Sequence, residues 1–431
     1  MTGCTPEQGE QPEIPTDHQA EVTDQPTRLP TPKSIQIDLE TQPDPQNRPL
    51  ILVHYMPWYQ TPSGSGYWGW HWTMNHYDPK QIDRDGKSPI ASHYYPLTGP
   101  YDSGDQNLFE YQVMLMKLSG IDGVIVDWYG FEGFWDDGKI NSSTHKLFEQ
   151  IKKTGLLFAI TYEDRTIQLM LENGYHKVKD PHVHGQQVME YLQENWFQED
   201  TYLKVNDRPV MFVFGNPPYY KSNSDWVKLF SVPDMPPYLI TQDGRVVSIT
   251  ESRYPWPPMH LSGGGELSPD TLENYLENFY DQASNWDTMT ASVFPGFHDI
   301  YNEAGVGPSY GYLDSQDGET LDFTFQKAFA YDPDIIQVVT WNDYGEGTSI
   351  EPAVEYGYQY LEMIQDMRKA FIDDEFPFTY EDLTILLKIY DLRKEHKGNT
   401  RVNTQLDEAF RAVLDGKLDI ARVIISNYQT E

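Results

Sequence analysis

The chain has 431 residues, room for one large domain with a smaller companion or for two to three ordinary domains. Its 66 Asp and Glu against 31 Lys and Arg give a formal charge of −35, a field that repels nucleic acid and anionic membrane surfaces. The single cysteine, Cys4, excludes an intrachain disulfide or a cysteine zinc site, and there is no apolar run of about 18 residues to span a membrane.

Met1-Thr2-Gly3-Cys4 reads as the end of a bacterial lipoprotein signal, with Cys4 as the lipidated residue of a cell-envelope protein. Residues 5–47 are rich in Pro, Gln, Glu, Asp and Thr and too poor in apolar groups to order themselves, so residues 1–48 read as a tether. Within it, Ile35-Gln36-Ile37-Asp38-Leu39 alternates like an edge strand.

A first apolar strand, Pro49 to Tyr55, runs into Met56-Pro57-Trp58-Tyr59 and an aromatic loop carrying Tyr67, Trp68, Trp70, His71, Trp72, His76 and Tyr77. The helix after it, Asp105 to Leu118, has Leu108, Tyr111, Leu115 and Leu118 on one face and Gly120 as its stop. A second strand ends in Asp127-Trp128-Tyr129, with a helix from about Ser143 to Thr154. A third ends in Tyr162-Glu163, with a helix from about Gly185 to Trp196. The fourth, Pro209 to Gly215, ends in Asn216-Pro217-Pro218.

Tyr238 to Thr241 and Val246 to Thr250 are expected as strands five and six. Ser268 as N-cap and Pro269 at the first helical position start a helix with Leu272, Tyr275, Leu276 and Phe279 inward. Thr290 to Phe297 is the seventh strand, ending at His298. A helix over Glu319 to Phe329 leads to the eighth, Ile335 to Trp341, and Tyr356 to Phe371 is the closing helix. Strand, loop and helix repeated over residues 49–374 predict an α/β fold of the (β/α)8 barrel type. A doubly wound sheet is disfavoured, because no Gly-rich phosphate loop follows the first strand and polar residues follow nearly every strand. Residues 375–431 read as a small helical extension, opened by a capping box at Thr379 to Asp382.

Residues at the carboxyl ends of barrel strands converge on one mouth. Here they are Tyr55, Trp58, Asp127, Trp128, Tyr162, Glu163, His298, Trp341, Asp343 and Glu346, with Tyr59 and Tyr344 beside them. Aromatic rings, 14% of the chain, stack on sugar faces, although many also serve as core. Asp343 and Glu346 are two acids in a Gly-rich loop, the pair that glycoside cleavage needs. Taken alone, an Asp-x-x-Glu in a loop is more often a helix cap or an arginine partner, and a three-residue offset in a loop does not fix the carboxylate separation that decides retention or inversion. The histidines match no helical metal-site spacing, so no metal and no cofactor is expected.

The motif Trp341-Asn342-Asp343-Tyr344-Gly345-Glu346-Gly347-Thr348-Ser349-Ile350-Glu351-Pro352, with His54 to Tyr59 and His71-Trp72, resembles glycoside hydrolase families 71 and 99, in the form of a Bacteroidetes-type surface lipoprotein. Family 99 enzymes are (β/α)8 endo-α-mannosidases or mannanases with two glutamates three apart. Family 71, which acts on α-1,3-glucan, shares the Trp-Asn-Asp-Tyr-Gly-Glu form. The resemblance implies Glu346 as general acid and Asp343 as base, acting on the sugar 2-hydroxyl or on water. It implies Glu163 as a substrate contact, and Tyr55, Trp58, His71, Trp72, Trp128 and Tyr129 as subsite walls. The expected partner is a neutral α-linked oligo- or polysaccharide, and the expected state a monomer. A carbohydrate-binding protein without turnover and a glycosyltransferase are the alternatives. Two retained carboxylates count against the first, and the lack of a basic nucleotide-phosphate cluster against the second.

Overall fold

The computed structural model describes residues 48–215, 219–243 and 248–428. The expected tether with Cys4 and the Ile35 to Leu39 piece, residues Asn216-Pro217-Pro218, and Val246 and Val247 lie outside them.

Eight parallel strands form the barrel: β1 (Leu50–Tyr55), β2 (Gly123–Trp128), β3 (Leu157–Tyr162), β4 (Arg208–Val213), β5 (Tyr238–Gln242), β6 (Ser252–Tyr254), β7 (Thr290–Val293) and β8 (Ile335–Val338). Main-chain pairing runs β6-β5-β4-β3-β2-β1-β8-β7. Both faces of these strands are covered, which is why β1 to β4 read as largely apolar runs, while β6 and β7 carry the buried polar residues Ser252, Thr290 and Ser292. The helices between them are α1 (Gln106–Ser119), α2 (Asp137–Thr154), α3 (Arg165–Glu172), α4 (Pro181–Leu192), α5 (Asn223–Phe230), α6 (Pro269–Ala283), α7 (Glu319–Phe329) and α8 (Gln359–Phe371). Asp105 caps α1 by accepting from the Asn107 amide at 2.9 Å, and Ser268 caps α6 through the Thr271 amide.

The sixth strand differs from expectation. Ser248 to Thr250 form a turn and loop, and the strand follows at Ser252–Tyr254, paired with Ile240 to Gln242 of β5. Strand seven also stops early, at Val293. Phe297–His298 instead pairs antiparallel with Tyr312–Leu313, making a hairpin over the barrel mouth.

Among the described residues no main-chain ladder joins β6 to β7. The Tyr280 hydroxyl from α6 occupies that seam, accepting from the Ser292 amide at 3.3 Å and donating to the Ser292 carbonyl at 3.1 Å. A side-chain hydrogen bond between Ser252 and Thr290, 3.2 Å, joins the two strands.

Side chains alternate between the barrel interior and the helix layer along each strand. Leu52, Gly123 and Leu157 lie in register at one interior level. A Cβ on Gly123 would come within 2.8 Å of Leu157 Cβ, so Leu52 and Leu157 use the space that a side chain there would need. At the barrel floor Asp122 accepts from the Ile51 amide at 3.0 Å and from Arg368 of α8 at 3.1 Å, fastening the closing helix to the first strand.

Beyond α8 come α9 (Tyr380–Glu395), α10 (Thr400–Leu414) and α11 (Leu418–Ser426). The Thr379 and Asp382 capping box is present. Helix α9 packs on α1, where Arg393 makes a two-pronged pair with Glu110 at 2.6 and 3.0 Å and also reaches Asp407 of α10 at 2.9 Å.

Candidate active site

The interior positions of the strands continue upward into a cleft of about 200 Å³. His54 stands two residues above Leu52, Asp127 above Ile125, Glu163 above Thr161, Phe214 above Phe212, and Trp256 above Tyr254, and all five line it. The aromatic loop after β1 adds Trp58, Tyr59, Trp70 and His71, the hairpin region adds Tyr301, and the loop after β8 supplies Asp343, Gly345 and Glu346.

The loop carrying the two acids is held by a dense set of hydrogen bonds. Asp343 donates its amide to Thr340 Oγ1 at 2.8 Å, and its Oδ1 accepts from the Glu346 amide at 2.9 Å. Asn342 clamps the Met56 backbone on both sides, accepting from its amide at 2.8 Å and donating to its carbonyl at 3.0 Å. Tyr59 OH donates to the Asn342 carbonyl at 2.8 Å and accepts from the Tyr344 amide at 3.1 Å. Beneath lies Glu351, buried and with no cation paired to it among the described residues. Its oxygens accept from Gln112 Nε2 at 2.6 Å, Tyr101 OH at 2.7 Å and Tyr344 OH at 2.9 Å. The loop's outer side meets the hairpin, where His298 donates its amide to the Glu346 carbonyl at 2.9 Å and Ile300 to the Gly345 carbonyl at 3.0 Å.

Gly347 makes that approach possible. It has φ +68, and a Cβ there would lie 2.4 Å from the His298 carbonyl oxygen. Gly347→Ala is therefore expected to cost at least about 2 kcal/mol of stability in urea unfolding and to lower kcat/KM by displacing Glu346. A wild-type unfolding midpoint and wild-type activity in that variant would refute the role given to the glycine.

Four carboxylates share the cleft, and burial raises all of them. Asp127, 2% exposed, is pushed well above the ordinary carboxylate range by burial and then by the charges of Glu163, Asp343 and Glu346. Glu163 is raised to about 7 by burial, with Arg165 offsetting part of the rise. Asp343, 5% exposed, is raised to about 6 by burial, restrained by hydrogen bonds from the Glu346 and Gly345 amides. Glu346 is pushed well above its ordinary value by burial and by the Asp343 charge, and its Oε2 is buried with no hydrogen-bond partner. His54 and His71 are held neutral, their pKa lowered to about 3 by burial. Among the described residues no group of three His, Cys, Asp or Glu converges as a metal site.

Of the residues singled out from sequence, Trp58, Tyr59, His71, Asp127, Tyr129, Glu163, Asp343 and Glu346 meet in the cleft. Others lie behind its walls, and strand alternation explains three of them. Tyr55 points outward and donates to Gln112 of α1 at 2.7 Å. Trp128 does the same toward Asn141 of α2 at 3.0 Å, and the Tyr162 ring packs against it at 5.9 Å. Trp72 donates to the Tyr101 carbonyl at 2.8 Å beneath the aromatic loop. Trp341 is fully buried, while Tyr344 turns down to Glu351. The His298 ring stacks on His93 at 3.6 Å outside the cleft, so that residue meets the site through its backbone. Sequence reasoning gave no site role to His54, Met56, Trp70, Met74, Phe214, Trp256 and Tyr301, although His54, Met56 and Trp70 stand in the stretches it singled out. Period-two counting from Asp127 and Glu163 across the neighbouring strands is the signal that finds Phe214 and Trp256.

A broader groove of about 590 Å³ opens from Phe214, Trp256 and Glu346 toward His260 and Tyr310. Glu346 and Trp256 line both spaces, whereas Asp343, Glu163 and Asp127 line only the inner one.

No family model matches the chain. It is similar to the human glycoprotein endo-α-1,2-mannosidase-like protein, 23% identical over 335 residues that cover 70% of this chain and 68% of that one. The glycoprotein endo-α-1,2-mannosidase of Xenopus laevis is 22% identical over 371 residues, covering 76% and 75%. Among solved structures, the family 99 endo-α-mannosidase of Bacteroides thetaiotaomicron matches with a TM-score of 0.56 at 17% identity, over 74% of this chain and 97% of that one. That likeness is one of fold, the (β/α)8 barrel.

Proposed function

We propose that this chain is a glycoside hydrolase of the family 71 and 99 kind that cleaves a neutral α-linked glycan, with Glu346 as general acid and Asp343 as base. The observation that carries the reading is the pair itself. Two carboxylates three residues apart stand at the end of β8 in one cleft, and their surroundings push their proton affinities apart. Glu346 keeps its proton near neutrality and gives it to the departing glycosidic oxygen. Asp343, at about 6, is ionised there and takes the proton of the attacking oxygen, be it the sugar's 2-hydroxyl or a water.

Glu346 borders both spaces, so the inner cleft with Asp343 holds the sugar that is attacked and the outer groove holds the leaving group. The cleft's wall, with Trp58, His71 and Tyr129, suits the faces of pyranose rings. An α-mannan is the first substrate to test, since the curated relatives carry endo-α-1,2-mannosidase names, and α-1,3-glucan is the second. The Cys4 sequence and the Pro-rich stretch after it support a place in the cell envelope, anchored by lipid.

The test is product analysis on α-mannan, α-1,3-glucan and a β-glucan with wild-type protein and Asp343→Asn. Reducing ends from an α-linked polymer, lost in the variant, are expected. Equal release by the two proteins, or release from the β-glucan alone, would overturn the assignment.

A further inference from the structure

The proposed chemistry uses Asp343 and Glu346 and asks nothing of Asp127, which lines the same cleft from the end of β2. The residue is buried, and its Oδ1 has no hydrogen-bond partner among the described residues. Two neighbours share that condition. Thr161 lies beside it in register on β3 with Oγ1 buried and unpartnered, and His54 lines the cleft from β1 with its Nδ1 in the same state. Three adjacent strands thus bring polar atoms with unused hydrogen-bonding capacity to one corner of the cleft. Such atoms are costly to bury, and beside a pair of reacting acids they are completed by what the cleft binds. Charge decides the form in which Asp127 waits. Among the described residues no lysine or arginine lines the cleft, and both its histidines are neutral. Asp343 carries a negative charge when it acts as base, and a second charge on Asp127 would share that space with no cation to offset it. Burial, and then the charges of Glu163, Asp343 and Glu346, push the Asp127 carboxyl the same way, toward holding its proton. A neutral carboxyl donates a hydrogen bond as well as accepting one.

We infer that Asp127 is a specificity-determining residue, whose neutral carboxyl donates a hydrogen bond to one hydroxyl of the sugar held over Asp343. The hydroxyl that accepts from it still has its own proton to give to an ionised carboxylate of the same cleft, and each bond strengthens the other. One position of the sugar is therefore read between an acid that donates and a carboxylate that accepts. An ionised Asp127 could only accept, and two acceptors of like charge cannot hold one hydroxyl between them. A sugar that lacks the hydroxyl, or carries it on the opposite face of the ring, leaves the buried carboxyl unpaired and is rejected for that reason. This role rests on the hydrolase reading and deepens it by naming a group that selects the configuration of the reacting sugar.

The experiment compares wild type, Asp127→Ala and Asp127→Asn. The probe is the oligosaccharide that wild type releases from α-mannan, or from α-1,3-glucan if that is the polymer cleaved, with forms of it that lack one free hydroxyl at a time on the reducing-end sugar. Dissociation constants are read by calorimetry. Expected is binding of the parent about 10- to 100-fold weaker in Asp127→Ala, with most of the loss recovered in Asp127→Asn, whose amide still donates. At one deoxy position wild type and Asp127→Ala bind alike within about threefold, while at the others the difference persists. Wild-type affinity in Asp127→Ala, a loss undiminished at every deoxy position, or Asp127→Asn as weak as Asp127→Ala would overturn the role while leaving the hydrolase assignment intact. Asp127→Asn also decides without the alanine variant. It removes no charge, so the acidic limb of its kcat/KM profile stays in place, and a limb moved to lower pH would show Asp127 to be ionised and overturn the role. A wild type that releases nothing from either polymer would overturn the hydrolase reading and this role together.

Discussion

With Glu346 as the proposed general acid, Glu346→Gln is expected to lose about 10²- to 10⁴-fold in kcat on a glycan whose leaving group is another sugar, because the amide cannot deliver a proton to the departing oxygen. The loss shrinks to within about tenfold on a dinitrophenyl glycoside, whose leaving group departs without protonation. A merely structural role would lower both rates together, so the contrast between the two substrates is the measurement that decides. The pH profile of kcat/KM carries the same information. Asp343 must be ionised, and burial places its transition at about 6, so the rate rises with pH through that region. Glu346 must be protonated, and its raised affinity extends the plateau well above the ordinary range of a glutamate. In Glu346→Gln the alkaline limb disappears and the acidic limb stays. An alkaline limb unchanged in that variant would show that another group gives the proton, and Glu163, raised to about 7 on the same wall, would be the next to test.

The second large effect belongs to a residue that touches no sugar. Glu351→Ala removes the acceptor for three buried donors, Tyr101 OH, Tyr344 OH and Gln112 Nε2, and is expected to cost about 3–5 kcal/mol in urea unfolding. Activity falls with it, because Tyr344 and Asn342 set the position of Asp343 between them. Charge gives this site a pH signature. Burial raises Glu351 from an ordinary 4.5 to about 7, so the folded chain holds a proton that the unfolded chain releases. That stabilisation is complete below about 4.5 and disappears as pH rises through about 7. Glu163 and Asp343 act with the same sign. The melting temperature of the wild type should therefore fall between pH 5 and pH 8, and Glu351→Gln, which cannot ionise, should flatten part of that slope. A slope identical in the variant would remove Glu351 from the account.

How much of this was written in the sequence depends on which physical signal carried it. Strands β1 to β5 and β8 are legible as short, mostly apolar stretches because both their faces are buried, and β7 because Val293-Phe294 follow its buried Thr290 and Ser292. Strand β6 is not, for Ser252-Arg253-Tyr254 is three residues long and has no apolar run, and the more strand-like Val246 to Thr250 lies before it. Helices α3 and α5 escape for a similar reason, each being eight residues long and close behind a strand end. At the site, the carboxylates are legible from type and position, and the aromatics only half so. Composition finds Tyr55, Trp128 and Tyr162 as readily as Trp58 and Tyr129, but the pleat sends the first three toward the helices. Glu351 is the opposite case. It stands in the motif itself, and nothing in the order of residues tells that it faces Tyr101 and Gln112 beneath the floor.

The Tyr280 seam has a consequence for the width of the mouth. Around most of a barrel the circumference is set by strand spacing, a fixed distance of about 4.8 Å per neighbour that sequence change can hardly alter. Between β6 and β7 that ruler is missing among the described residues: the Ser252–Thr290 side-chain bond joins the strands, and Tyr280 from α6 satisfies the open backbone edge of Ser292. The residue two steps above β6 is Trp256, which walls both the inner cleft and the outer groove. The wall that Trp256 gives to both spaces thus stands above the one place in the barrel where, among the described residues, neighbouring strands are joined by side chains instead of a main-chain ladder.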